Sequence, residues 1–237
     1  MLVFKRKNFI IISVLVITAL TFILCLGAIA NLNIKGASGN GIIVVIDAGH
    51  GGIDNGVVGT KTGVKESELN LSVSKKLEDF LVDAGIDVVL TRNSVAGLYG
   101  VATKNLKKKD MEKRKDIIQN ANPTLVVSVH MNKYSVSSRR GAQVFYKEGD
   151  EKGKAFADCV QRQFNDLSGS QRDFSALTGN YYILKCSNVP SIIAECGFLS
   201  NQSDEALLIT EEYQSEVAYT IFKGIIEYLS EQSIRYF

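Results

Sequence analysis

His50 and His130 are the only imidazoles among the 237 residues of the sequence. Each is reached from a short apolar run. Ile42-Ile43-Val44-Val45-Ile46 leads through Asp47-Ala48-Gly49 to His50, and Leu125-Val126-Val127-Ser128-Val129 leads directly to His130. Runs of that length and β-branched content read as strands buried on both faces, and open α/β sheets hold their ligands at the carboxyl ends of such strands. Both rings are therefore expected on one rim. A lone histidine at a strand end is more often a hydrogen-bonded structural group. That both histidines of the chain share this placement points instead to a metal, since neutral imidazole is a favoured zinc donor.

Catalytic zinc commonly takes three protein ligands and leaves the fourth position to water, so an acidic ligand is expected beside the histidines. Glu66 is the best placed, at the start of a helix that follows the His50 loop, with Glu68 as a competing ligand two residues on. The structural alternative for Glu66 is charge complementing a helix dipole. Glu195 ends the apolar run Ser191-Ile192-Ile193-Ala194, where an unpaired carboxylate is costly to bury. Beside zinc it would take a proton from water and deliver it to a leaving amine. Its structural alternative is an ion pair with Arg92 or Arg114.

Other chemistries fit poorly. The glycine-rich turn Asp47-Ala48-Gly49-His50-Gly51-Gly52 fails as a dinucleotide fingerprint, because Asp54 stands where the third glycine belongs. Cys25, Cys159, Cys186 and Cys196 contain no CxxC pair and are too scattered for a disulfide framework. Cys196 adjoins Glu195 but has no histidine left to activate it, so it reads as a packed small hydrophobe. A formal net charge of +2 makes no case for nucleic acid.

The elements that must position these residues alternate. Strands are expected at 42–46, 86–90, 125–129 and 191–194. Helices are expected over 69–84, closed by Gly85, and over 110–120 and 152–165, with a last one placing Val217, Ile221, Ile225 and Leu229 on one face. Alternation of this kind implies a single α/β domain with a mostly parallel or mixed sheet covered on both sides. The most basic stretch, 104–115 (KNLKKKDMEKRK), reads as a solvated loop and helix face in preference to an anionic binding site.

Ahead of the domain, residues 1–8 carry Lys5-Arg6-Lys7 as a cytoplasmic basic region, and the 22 residues 9–30 are uncharged and mostly apolar. That is enough to cross a hydrocarbon layer of roughly 30 Å, either as a retained transmembrane helix or as a signal peptide cut near Ala28-Ile29-Ala30. The basic flank stays inside, which puts the rest of the chain outside the cytoplasm, membrane-anchored or secreted. Leu24 before Cys25 argues against lipidation. Residues 31–40 (NLNIKGASGN) read as a linker, and 41–237 as the catalytic domain.

Four segments resemble the zinc-dependent N-acetylmuramoyl-L-alanine amidases of the amidase 3 family: IDAGHGGIDNGVVG at 46–59, KESELNLS at 65–72, SVHMN at 128–132 and AECGFLSN at 194–201. DVVLTR at 87–92 and GAQVFY at 141–146 fit as well. The resemblance implies a twisted sheet of about six strands flanked by helices. It implies His50, Glu66 and His130 as zinc ligands, preferring Glu66 to Glu68, and Glu195 as the catalytic acid/base. The implied reaction is hydrolysis of the amide between the lactyl group of N-acetylmuramic acid and the L-alanine of the peptidoglycan stem peptide. Ala48, where relatives often have proline, and Cys196, where an aliphatic residue is common, depart from the pattern without removing a catalytic group. A long stretch from Asn93 to Met111, and the lack of cell-wall-binding repeats after the domain, resemble the spore-cortex amidases of the CwlD type in endospore-forming bacteria, which prepare muramic-δ-lactam. The lack of a wall-targeting module also leads us to expect an accessory or activator protein. Two other readings stand beside the amidase: a zinc peptidase cutting within the stem peptide, and a non-catalytic peptidoglycan-binding activator.

Overall fold

Val44, Val45 and Ile46 expose no surface at all, as expected for a strand covered on both sides. They belong to β1 (Ile43–Ala48), one of six strands in a single sheet of order β2-β1-β3-β6-β4-β5. The other strands are β2 (Asp87–Leu90), β3 (Leu125–Asn132), β4 (Gln143–Tyr146), β5 (Leu177–Thr178) and β6 (Ser191–Phe198). The computed structural model describes residues 41–168, 170 and 173–234. The apolar segment 9–30 and the linker 31–40 lie outside them. The described residues form one compact unit, and no helix among them is long and apolar enough to cross a membrane.

The sheet is mixed. β1 pairs in parallel with β2 and β3, and β3 in parallel with β6; β4 then runs antiparallel to β6 and carries β5 parallel to itself on the edge. Five α-helices flank it among the described residues: α1 (Glu66–Asp83), α2 (Leu106–Ala121), α3 (Glu151–Asn165), α4 (Gln202–Leu208) and α5 (Glu211–Ile234).

Side-chain alternation along the strands divides the interior into two cores. Val44 and Ile46, Val127 and Val129, and Ile192 and Ala194 face α1, α3 and α5, which contribute Leu77, Phe156, Ile221 and others to the larger core. Val45, Val126 and Ile193 face the other way, onto Ile118 of α2 and Ile183 and Leu184 of a short 3-10 turn. The smaller core leaves room at its upper end, where the carboxyl ends of the central strands lie. Gly85 takes φ +75° just past α1, the left-handed conformation a closing glycine supplies.

Two strands run past their expected ends. β3 continues through His130 to Asn132 and β6 through Glu195 to Phe198, so these side chains stand inside the sheet and His130 pairs in register with Glu195.

Candidate metal centre and active-site cleft

The alternation that buries Val45, Val126 and Ile193 on the α2 side also sends Asp47, Ser128, His130 and Glu195 to that side. His50 joins them from the turn after β1, where it adopts φ +60°, unusual for a residue with a side chain. Its carbonyl is gripped by Arg114 Nη2 at 2.5 Å. Glu66 enters as the first residue of α1, almost fully buried.

Three donor atoms converge. Glu66 Oε1 lies 3.2 Å from His50 Nε2 and 2.9 Å from His130 Nδ1, and the ring centroids of the histidines are 5.0 Å apart. Glu68, the competing candidate, instead points to solvent and lies 3.7 Å from Lys65 Nζ. The far oxygen of Glu66 is fixed by Val57 N at 2.7 Å, and Oε1 also accepts from Asn70 Nδ2 and Met131 N. Two glycines make the approach possible. A Cβ at Gly49 would collide with the His130 ring, and one at Gly56, which has φ +65°, would strike the Glu66 carboxylate.

Two imidazoles and a carboxylate whose ligand atoms all lie within 4.8 Å of one another form a donor set suited to zinc. Burial pushes the Glu66 carboxyl up, but its hydrogen bonds with His130 and His50 outweigh this and hold it well below the usual carboxylate range. Glu66 thus stays anionic, the form that could serve as a metal ligand. For His50, burial disfavours the charged ring while Glu66 and Asp54 favour it more strongly, and the net direction is upward. Asp54 Oδ1 sits 2.9 Å from His50 Nδ1, and the other ring nitrogen, Nε2, faces Glu66, the arrangement in which a carboxylate partner would fix a ligating ring. Sequence reading used Asp54 only to reject a nucleotide loop; its spacing of four residues from His50 in a tight turn was the available signal.

Glu195 opens onto the same cleft. Neither proposed cation reaches it. Arg92 donates to the carbonyls of Ala48, Gly49, Ser67 and Ser94, and Arg114 to Asp47, Asp110 and the carbonyls of Ala48 and His50. Glu195 Oε2 is buried with no hydrogen-bond partner. Burial pushes this carboxyl up to about 7, against the pull of His130. An acid near neutrality can both accept and return a proton.

The expectation that 104–115 is a solvated face needs correction. Lys107, Lys108 and Lys109 are exposed, but Asp110 and Arg114 are buried in the wall of the cleft, tying α2 to Asp47 at the end of β1. Helical spacing puts these two on the inner face, and charge alone concealed it. Tyr181 and Tyr182 line the opposite side; they come from a loop with no periodic signal.

The sequence profile of the family described as N-acetylmuramoyl-L-alanine amidase matches residues 44–227. The germination-specific N-acetylmuramoyl-L-alanine amidase of Bacillus subtilis (strain 168) is 33% identical over 200 residues, covering 81% of this chain and 82% of that protein. Among solved structures, the CwlD amidase from Clostridioides difficile, determined in complex with the GerS lipoprotein, superposes with a TM-score of 0.77 at 34% identity, covering 80% of this chain and 98% of that one. The catalytic domain of CwlV, from Bacillus (Paenibacillus) polymyxa var. colistinus, superposes with a TM-score of 0.70 at 32% identity, covering 80% and 98%.

Proposed function

The chain belongs to the N-acetylmuramoyl-L-alanine amidase family, and from that premise we propose that it is a zinc enzyme in which His50, Glu66 and His130 hold the metal and Glu195 moves the proton. Its substrate is peptidoglycan, and the bond cut is the amide between the lactyl group of N-acetylmuramic acid and L-alanine. The observation that carries this reading is the pairing of the three convergent donors with a buried carboxylate oxygen that has no other partner.

Zinc, when bound, supplies Lewis-acid polarisation of the amide carbonyl and acidifies water at the site. The protein does the rest. Asp54 and Glu66 orient the His50 ring between them, while Val57 N and Asn70 hold the Glu66 carboxylate in place. In its ionised form the buried Glu195 carboxylate is able to accept a proton. Glu195 takes that proton from the attacking water and passes it to the alanine nitrogen as the C–N bond breaks.

The test is a peptidoglycan digest analysed by mass spectrometry, with and without chelator. The amidase frees the amine of L-alanine and leaves the lactyl group on the sugar; products cut within the stem peptide would indicate a peptidase instead. Glu195→Ala should keep bound zinc while its rate falls by about 100-fold or more. Cleavage by that variant at the wild-type rate would refute the assigned role.

The likeness to a germination-specific amidase and to CwlD supports a role in the spore cortex of an endospore-forming bacterium, in the formation of muramic-δ-lactam. It supports an extracytoplasmic location too, with residues 9–30 as membrane anchor or signal. The GerS complex of the C. difficile amidase supports an accessory protein for this chain, one that aids zinc or substrate binding. Full activity of the purified protein alone would remove the need for it.

A further inference from the structure

The cleft beside the triad, a cavity of about 210 Å³, does not end at Asp54. A second cavity of about 260 Å³ adjoins it, floored by Ile53, Tyr99 and Leu106, and the two share Asp54, Lys107 and Asp110 as a common wall. Tyr99 and the shared residues of α2 come from the stretch 93–111, whose length the catalytic assignments leave unused. Tyr99 is fixed there by its hydroxyl, which accepts from Ile53 N at 3.0 Å.

Two cations line these cavities. Arg114 is buried and its nitrogens are committed to Asp47, Asp110 and backbone carbonyls. Lys107 is 79% exposed and meets only Asp54 Oδ2, at 3.9 Å, while the other oxygen of Asp54 is held by His50. Lys107 also lies in the first turn of α2, which has three lysines and no acid, although the helix dipole favours acids there. Lys108 and Lys109 are offset by Glu112; Lys107 is not.

We propose that Lys107 and the adjoining cavity form a subsite for the stem peptide beyond the scissile amide, with Lys107 receiving a carboxylate of the substrate. This rests on the amidase reading above. Charge decides which side of the amide lies here. With its lactyl carboxyl tied up in the amide, the sugar side carries no charge. The peptide side carries carboxylates, the nearest being the α-carboxylate left free when the second residue, a glutamate, is linked through its γ-carboxyl. Only one carboxylate, Asp54, separates Lys107 from the His50 ring, a span of one to two extended residues at about 3.4 Å each. The apolar floor suits the aliphatic part of the same peptide.

The test uses the full chain with zinc and two disaccharide-tetrapeptides that differ only in whether the glutamyl α-carboxylate is free or amidated. The wild type should favour the free acid by about fivefold in kcat/KM, the scale of a partly exposed ion pair, with the difference in KM and shrinking at high salt. Lys107→Gln should bring the ratio near one and Lys107→Glu should invert it, whereas Lys108→Gln keeps the wild-type ratio. Equal rates on both substrates in the wild type, or an unchanged ratio in Lys107→Gln, would overturn the subsite. Failure to release the alanine amine from either substrate would overturn the amidase reading and the subsite with it.

Discussion

Asp47 shows how much of this site is held by a residue whose carboxylate is wholly committed to its neighbours. Its carboxylate is buried and accepts from Arg114 at 2.6 Å, Ser128 at 2.6 Å and Thr91 at 2.7 Å. Burial pushes its pKa up, but Arg114 and the two hydroxyls outweigh it and bring it from 3.8 down to about 2. A folded-state pKa below the unfolded one contributes stability that is present above pH 4 and is lost as pH falls toward 2, here about 2 kcal/mol. Asp47→Asn leaves Arg114 buried without its charge partner, so it should destabilise the protein at pH 7 by about 3 kcal/mol. That deficit relative to wild type should shrink between pH 4 and pH 2. Urea unfolding of both proteins across this range checks it, and a deficit independent of pH would show that the carboxylate charge is not what Asp47 contributes. The residue scale is also where sequence reading reached furthest. His50 and His130 drew attention by scarcity and placement, and Glu195 by being an acid at the end of an apolar strand. Asp47 did not, and Arg114 entered only as a partner for Glu195, because an aspartate at a strand end and an arginine in a lysine-rich helix do not show their pairing until the fold puts them face to face.

At the scale of elements, the seven-residue helix α4 does more than its length suggests. Glu205 is 1% exposed and accepts from Thr60 Oγ1, Lys61 N, and both Thr62 N and Thr62 Oγ1. Those residues form the tip of a small hairpin closed by the Gly59–Val64 hydrogen bond and the Val58–Lys65 bridge, and its base supplies the Val57 N–H that fixes Glu66. Its neighbour Asp204 binds Gly141 N and Arg140, so α4 clasps loops on both sides of β6. Glu205→Ala should therefore cost about 2 kcal/mol of stability through lost charge-assisted hydrogen bonds. It should also weaken zinc binding by about tenfold, as loss of an outer support to a metal ligand typically does. Competition with a chromophoric chelator measures the second effect; wild-type zinc affinity in a folded variant would show that the hairpin does not position Glu66. Nothing in the sequence announces α4, since seven residues give too few turns for a hydrophobic period. β5, two residues long, escaped for the same reason, and β4 entered only through the likeness of GAQVFY to the family. The long runs behaved otherwise. Val44 to Ile46 and the Leu69, Val73, Leu77, Leu81 face of α1 are buried as their periods require, because fully buried elements leave the strongest imprint on composition.

For the whole molecule, the two cores and the donor set are physically separate. The larger core packs α1, α3 and α5 onto one face of the sheet with mainly apolar side chains, and His50 and His130 lie at the carboxyl ends of the strands on the side of the smaller core, where Glu66 reaches them from the first turn of α1. Folding therefore does not wait on metal, in contrast to small zinc domains whose ligands replace a core. Removing zinc from the enzyme should abolish activity yet leave the far-UV circular dichroism spectrum unchanged. The melting temperature should fall, because an ion that binds only the folded state stabilises it by RT ln(1 + [L]/Kd), about 2.7 kcal/mol at a hundredfold excess over Kd. For a domain of this size that is a drop on the order of 10 °C or less. If the scaffold alone places Glu66 between the two imidazoles, zinc added back should restore both the melting temperature and the rate without a refolding lag. Thermal melts with chelator, followed by titration of zinc, make the measurement. Collapse of the circular dichroism signal on chelation would mean that the ion holds the fold together, and would move His50, Glu66 and His130 from a site built on the scaffold to a part of the scaffold itself.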